Sequence, residues 1–103
     1  MGGDDANLVG EAVPLEKTIT NAILKWLKAQ PDTHARKVWG GYAPGEPDIL
    51  CCRKGRMVVI EVKQPGRKPT DLQWAAMARW EDAGAVAFVA HSVDEVKDKL
   101  ANP

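Results

Sequence analysis

At 103 residues, the chain has room for one domain with a single core of two or three layers and no second globular unit. Its 45% hydrophobic and 27% charged residues fit an ordinary soluble domain, and nothing in it reads as a membrane span or, after Met1, as a signal peptide. The formal net charge of zero conceals a polarised chain: residues 28–68 hold nine Lys or Arg against four Asp or Glu, a net of +5, between flanks of −2 and −3. That pattern suits a polyanion bound at the middle of the chain, the alternative being a solvated basic face.

Residues 1–12 are rich in Gly, Asp and Asn and read as a flexible tail, leaving 13–103 as the domain. Leu15, Ile19, Ala22, Ile23, Trp26 and Leu27 then recur at helical spacing until Pro31, which predicts a helix over about 14–29. Glu16 lies in its first turn beside the apolar stripe, where a carboxylate also suits the helix dipole. A strand is expected over 35–39. The segment 40–47, with five turn-forming Gly or Pro residues, connects it to Asp48. Trp39 and Tyr42 could stack on bases or simply pack beside the sheet.

The next stretch organises the chain. The apolar run of residues 49–52, a Lys54-Gly55 turn and Met57-Val58-Val59-Ile60-Glu61-Val62-Lys63 read as a β-hairpin with a two-residue loop. That loop pairs Arg53 with Arg56 and therefore sets Asp48 opposite Glu61, with Cβ atoms about 4.5–5.5 Å apart. Alternation puts Lys63, Leu50, Cys52, Met57 and Val59 on the same face, and Ile49, Cys51, Val58, Ile60 and Val62 on the other. Both faces are mostly apolar, as in a sheet covered on both sides. Two opposed carboxylates there would need pairing or a hard cation such as Mg²⁺ or Mn²⁺; the alternative is an Asp-Lys or Glu-Lys pair at a strand end. Cys51 and Cys52, adjacent and facing opposite ways, cannot share a disulfide or a metal. They read as buried small hydrophobes in a reducing, intracellular, cytoplasmic setting.

After Lys63, the turn Gln64-Pro65-Gly66-Arg67-Lys68-Pro69 brings two cations beside the carboxylates. Thr70 and Gln73 form a capping box for a helix over 71–83, ended by Gly84. Residues 85–90 read as a strand buried on both faces, and Ser92 and Glu95 open a last helix to about residue 100. His91 is expected to be structural, since it has no second ligand at metal-binding spacing. The order is α-β-β-β-α-β-α, an α/β class with a mixed sheet flanked by helices and a right-handed crossover between the third and fourth strands.

Pro47-Asp48 followed by Glu61-Val62-Lys63 on this frame resembles the PD-(D/E)xK nuclease superfamily, with its restriction-endonuclease-like fold. Gly45-Glu46-Pro47-Asp48, Glu61-Val62-Lys63, the basic turn, Gln73 and the Ala83-Gly84 stop are similar to the VRR-NUC family, the virus-type replication-repair nucleases, over roughly residues 14–91. The resemblance implies that Asp48, Glu61 and the Val62 carbonyl hold a divalent metal, Mg²⁺ or Mn²⁺. It implies that Lys63 orients or helps deprotonate the attacking water, and that Glu16 and Gln73 match acidic and glutamine residues of the family's two helices. Lys37, Lys54, Arg67 and Lys68 are the expected DNA contacts.

The implied function is metal-dependent, structure-specific cleavage of DNA in replication or repair, with a phage or bacterial origin. Free-standing members resemble Holliday-junction resolvases that act as homodimers on four-way junctions. The alternatives are a flap or restriction-type nuclease, a non-catalytic nucleic-acid-binding module, or an α/β interaction protein in which the Glu-Xaa-Lys is incidental.

Overall fold

The computed structural model describes residues 13–39 and 44–101. The expected tail over 1–12 and Tyr42 lie outside the described residues. Among those described, the order is α1 (Glu16–Lys28), β1 (Thr33–Lys37), β2 (Ile49–Arg53), β3 (Arg56–Val62), α2 (Asp71–Asp82), β4 (Val86–Ala90) and α3 (Val93–Ala101). The four strands form one sheet in the order β1-β2-β3-β4. The first three are antiparallel, and β4 runs parallel to β3 after the α2 crossover. The architecture is therefore the expected α/β fold with a mixed sheet. Among the described residues, no helix is long and apolar enough to cross a membrane.

The β2–β3 turn takes the two-residue form the sequence suggests. Lys54 and Gly55 both have positive φ, 52° and 81°, the type I′ pattern whose twist matches the flanking strands. The register then runs from Arg53↔Arg56 to Ile49↔Ile60. β1 begins two residues earlier than expected. Its ladder with β2 starts at Thr33↔Arg53 and is extended by a hydrogen bond from Lys54 N–H to Asp32 O, 2.8 Å. Trp39 consequently lies beyond the strand rather than in it.

Alternation along the hairpin divides the molecule into two unequal layers. Ile49, Cys51, Val58, Ile60 and Val62 join Ile19, Ile23, Leu24 and Leu27 of α1, Phe88 and Ala90 of β4, and Val96 and Leu100 of α3 in the main core. The stripe on α1 is thus centred on Ile23 and Leu27, while Leu15 and Ala22, expected to be part of it, are exposed. On the opposite face α2 lies over β3 and β4, burying Val59 beneath Ala76 and Met77. Among the described residues, no helix packs to the same extent over the β1–β2 half of that face. Cys52 is therefore exposed, against the expectation of two buried thiols, while Cys51 is buried and its thiol is pushed up in pKa by that burial. β4 is an edge strand, and Val86, Ala87 and Val89 are only half-buried; the uninterrupted apolar run had suggested burial on both faces.

Both later helices begin at side-chain caps. Thr70 Oγ1 accepts from Gln73 N–H at 3.2 Å and Gln73 Oε1 accepts from Thr70 N–H at 2.8 Å, the complete capping box. At α3, Ser92 Oγ accepts from Glu95 N–H, but the Glu95 carboxylate reaches one residue further back, to His91 N–H at 2.9 Å.

Gly45 anchors the connection into β2. Its φ is +81°, and a Cβ there would lie 2.6 Å from the Leu72 carbonyl oxygen in the first turn of α2. Gly55 has the same φ but open space around it. Gly45→Ala should therefore lose more stability than Gly55→Ala, which meets only the backbone strain of about 1 kcal/mol. Urea midpoints of the two variants measure the difference; equal losses would contradict the close approach of this loop to α2.

Candidate active site

Three constraints converge on Asp48. Pro47 is fully buried at the end of the loop, Gly45 rests against α2, and Val38 N–H donates to the Asp48 backbone oxygen at 2.8 Å, extending the β1–β2 ladder. The side chain is then fixed from β3, with Val62 N–H donating to Asp48 Oδ2 at 2.7 Å. The hairpin register brings Glu61 opposite, as the sequence spacing requires.

Glu61 is 1% exposed, one of only two buried polar or charged residues among those described. Its Oε2 lies 3.8 Å from Lys63 Nζ, and its Oε1 is buried without a hydrogen-bond partner. Such a group is costly to hold ionised. Its pKa is accordingly raised from the usual 4.5 to about 8, mainly by burial and then by the charge of Asp48. Lys63 pulls the other way, and Glu16 adds a smaller upward push.

The structure therefore brings Asp48, Glu61 and Lys63 together, with Glu16 near enough to be felt. Glu16 is held there from both sides. It opens α1, where its carbonyl oxygen accepts from Thr20 Oγ1–H at 2.8 Å. The chain just before it is tied to the segment after β3 by a bond from Gln64 Nε2 to Pro14 O, 3.1 Å. Gln73 is half-buried, with its Oε1 committed to the capping box. Lys54 stands at the hairpin turn, six residues along β2 from Asp48 and so about 20 Å away; it does not join this cluster. Lys37 ends β1, and its Nζ lies 5.1 Å from the centre of the Trp39 ring.

Arg67 and Lys68 are exposed on the loop that leaves β3. Arg67 N–H donates to Gln64 O at 3.0 Å, and Pro65 with Gly66 at φ +85° gives the type II turn pattern. His91, expected to be structural, braces this turn. Its Nε2 lies 3.2 Å from Arg67 O and its Nδ1 2.9 Å from Glu95 Oε1. Both partners are acceptors, so the doubly protonated ring satisfies both, and the His91 pKa is raised, chiefly by the Glu95 hydrogen bond.

Asp48 and Glu61 fit a hard divalent cation. An orphaned carboxylate oxygen in a dry site, opposed to a second carboxylate, is the donor set that Mg²⁺ accepts while keeping several waters. Among the described residues, no group of three or more Asp, Glu, His or Cys side chains gathers into a metal cluster. The Val62 peptide joins β3 to Lys63, and its N–H already serves Asp48.

Comparison with protein-family models returns no match to the sequence, and comparison with curated proteins returns none. Solved structures do match. One described as "VRR_NUC domain" superposes with a TM-score of 0.72 at 25% identity, covering 84% of this chain and 95% of that one. The chain shares the fold of this VRR_NUC domain over most of its length. A second structure, "VRR_NUC domain protein", agrees in fold with a TM-score of 0.70 at 20% identity, covering 85% of this chain and 86% of the other. The likeness to the first structure supports a nuclease of the PD-(D/E)xK type. Both VRR-NUC matches extend across most of the present domain, so the carboxylate pair lies within a shared architecture rather than on an appendage to it.

The Glu61 environment makes a stability prediction. Below about pH 4.5 the group is protonated in both folded and unfolded chains. Between there and about pH 8 only the unfolded chain releases the proton, so the folded state loses stability as pH rises. In EDTA, wild-type melting temperature should fall from pH 5 to pH 8, and Glu61→Gln should flatten that fall and melt higher than wild type at pH 8. Parallel profiles for the two proteins would contradict the assignment.

Proposed function

We propose that this domain is a divalent-metal-dependent, structure-specific DNA endonuclease, and that it acts as a homodimer in the manner of a Holliday-junction resolvase. The observation that carries the reading is the forced pairing of Asp48 with buried Glu61 beside Lys63. A fold gains nothing in stability from opposing two carboxylates in a dry site; a metal nuclease requires that arrangement. Asp48, Glu61 and the Val62 carbonyl would hold Mg²⁺ or Mn²⁺, which supplies charge neutralisation at the phosphate and a more acidic water.

Lys63 presents a cation next to Glu61, where it orients the attacking water and offsets the charge that grows on the phosphoryl oxygens. Water adds to phosphorus, the bond to the leaving sugar oxygen breaks, and the products are a phosphate monoester and a hydroxyl. Glu16 borders this centre and would order water around it. Gln73, with its oxygen fixed in the helix cap, would contribute through its amide nitrogen. Arg67 and Lys68, on a turn braced by His91, would hold backbone phosphates without reading sequence.

One carboxylate pair cuts one strand, and symmetric cleavage of a four-way junction needs two at fixed spacing. A two-fold dimer provides them. Support for an assembly comes from α2, on which Leu72 and Trp74 are 61% and 49% exposed beside the loop that carries the cations. Such side chains are costly on a surface that meets only water.

Asp48→Ala should abolish cleavage of every substrate, as should EDTA. Lys63→Ala should lower the single-turnover rate by roughly 10²-fold or more with little change in Mn²⁺ affinity. Wild type should nick a synthetic four-way junction symmetrically and cut plain duplex poorly, with a dimer mass by light scattering. A monomer, or equal cutting of plain duplex, would sink the resolvase reading and leave a nuclease of flap or restriction type; no metal-dependent cutting at all would leave a binding module.

A further inference from the structure

The uncovered half of the sheet's active-site face forms a groove of about 550 Å³, lined by Arg36, Lys37, Val38, Trp39, Leu50 and Trp80, with Glu46 among them. Its size is within the range of sites that hold small organic ligands. It arises because, among the described residues, α2 packs mainly over β3 and β4. Val59 is wholly buried under that helix, whereas Leu50, its pairing partner on the same face, is only half-buried.

The groove lies beside Asp48, although neither carboxylate lines it. Val38 lies across from Asp48, bonded to it through its N–H, so the lining begins one strand spacing, about 4.8 Å, from the carboxylate's backbone. Leu50 and Arg36, which pair across β1 and β2, lie two residues further along, about 7 Å away. A chain whose scissile phosphate lay at Asp48 would put an adjoining nucleotide here.

The lining chemistry selects what that nucleotide offers. Trp39 is 74% exposed, so packing against the sheet does not account for it; its contact is with the Lys37 ammonium, 5.1 Å from the ring centre. Trp80 is half-buried and held in place by donating its Nε1–H to Glu46 Oε1 at 3.2 Å. Two indoles with an aliphatic floor suit a flat, aromatic, neutral group. Arg36 and Lys37 supply positive charge for the phosphates on either side of it, while the Glu46 carboxylate would repel a phosphate from the interior. A base stacked in a duplex has no face to offer such a groove. A base at a branch point or in a single strand does, at a lower cost of unstacking.

We propose that this groove between β1 and α2 is a subsite for an unstacked nucleobase of single-stranded or branch-point DNA, gripped by Trp39 and Trp80 next to the scissile phosphate. The assignment deepens the nuclease reading and rests on it for the position of the scissile phosphate. The groove makes the substrate requirement a local one: DNA must give up a base from its stack to bind fully.

The test measures affinity without cleavage. Fluorescence anisotropy of a labelled single-stranded 12-mer and of a blunt duplex of the same sequence is recorded in EDTA with wild type, Trp39→Ala and Trp39→Phe. Trp39→Ala should weaken single-strand binding roughly tenfold, the order expected for one lost base–aromatic stack, and change duplex binding by less than about twofold. Trp39→Phe, which keeps an aromatic face, should recover most of the loss. Trp80→Phe, checked by thermal melting because the residue is partly buried, should shift single-strand affinity in the same direction.

Equal effects on both DNAs, no effect on either, or no single-strand binding by wild type would overturn the subsite. The two readings fail separately. Metal-dependent cutting by wild type together with unchanged single-strand affinity in Trp39→Ala would remove the groove and keep the nuclease. Selective loss of single-strand binding in a protein that cuts nothing would keep the groove and remove the nuclease.

Discussion

The register of one hairpin fixes the chemistry of this protein. A two-residue turn at Lys54 and Gly55 pairs Ile49 with Ile60, and the next pair outward is an aspartate facing a glutamate. Because side chains alternate, the same register that sends Ile49, Cys51, Val58, Ile60 and Val62 into the main core must send Asp48 and Glu61 to the opposite face. A slip of one residue would expose the core set and take the carboxylates out of opposition. The hydrophobic core thus enforces a contact that electrostatics opposes, and the opposition is visible in the raised pKa of Glu61 and in its unpartnered oxygen.

Much of the remaining structure holds that contact in place. Gly45 lets the incoming loop touch α2, and the capping box of Thr70 and Gln73 fixes where α2 starts. The bond from Gln64 to Pro14 joins the end of β3 to the start of α1, bringing Glu16 to the margin of the site. His91 links the same loop to α3 through Arg67 and Glu95. Each is a local polar bond of modest worth, about 1 kcal/mol, but together they stiffen the carboxyl end of β3. The other end of the hairpin, with Lys54, is free of these ties and distant from the chemistry.

The parts legible in the sequence were those set by short-range rules. The turn type, the pairing of Asp48 with Glu61, the cap at Thr70 and the helix stop at Gly84 each follow from a few neighbouring residues, and the structure has all of them. The parts that were not legible depend on which face another element covers. Cys52 and Cys51 look alike in the chain, yet only one lies beneath helices. The run of residues 85–90 looks like an interior strand, but the sheet order makes β4 an edge. Trp39 resembles a strand residue until the β1 ladder is seen to start at Thr33. Trp80 gave no periodic signal separating it from the other apolar residues of α2, and its bond to Glu46, 34 positions away in sequence, could not be inferred from spacing. The β1–α2 groove was invisible for the same reason.

The central claim is that Asp48 and Glu61 form one cation site. Anomalous diffraction from crystals soaked in Mn²⁺ tests it most directly. The account predicts a single strong peak within coordination distance, roughly 2.0–2.2 Å, of one oxygen from each carboxylate, and no such peak in Asp48→Asn. A well-occupied peak elsewhere, or a Mn²⁺-soaked crystal with no metal between the two carboxyl groups, would contradict it.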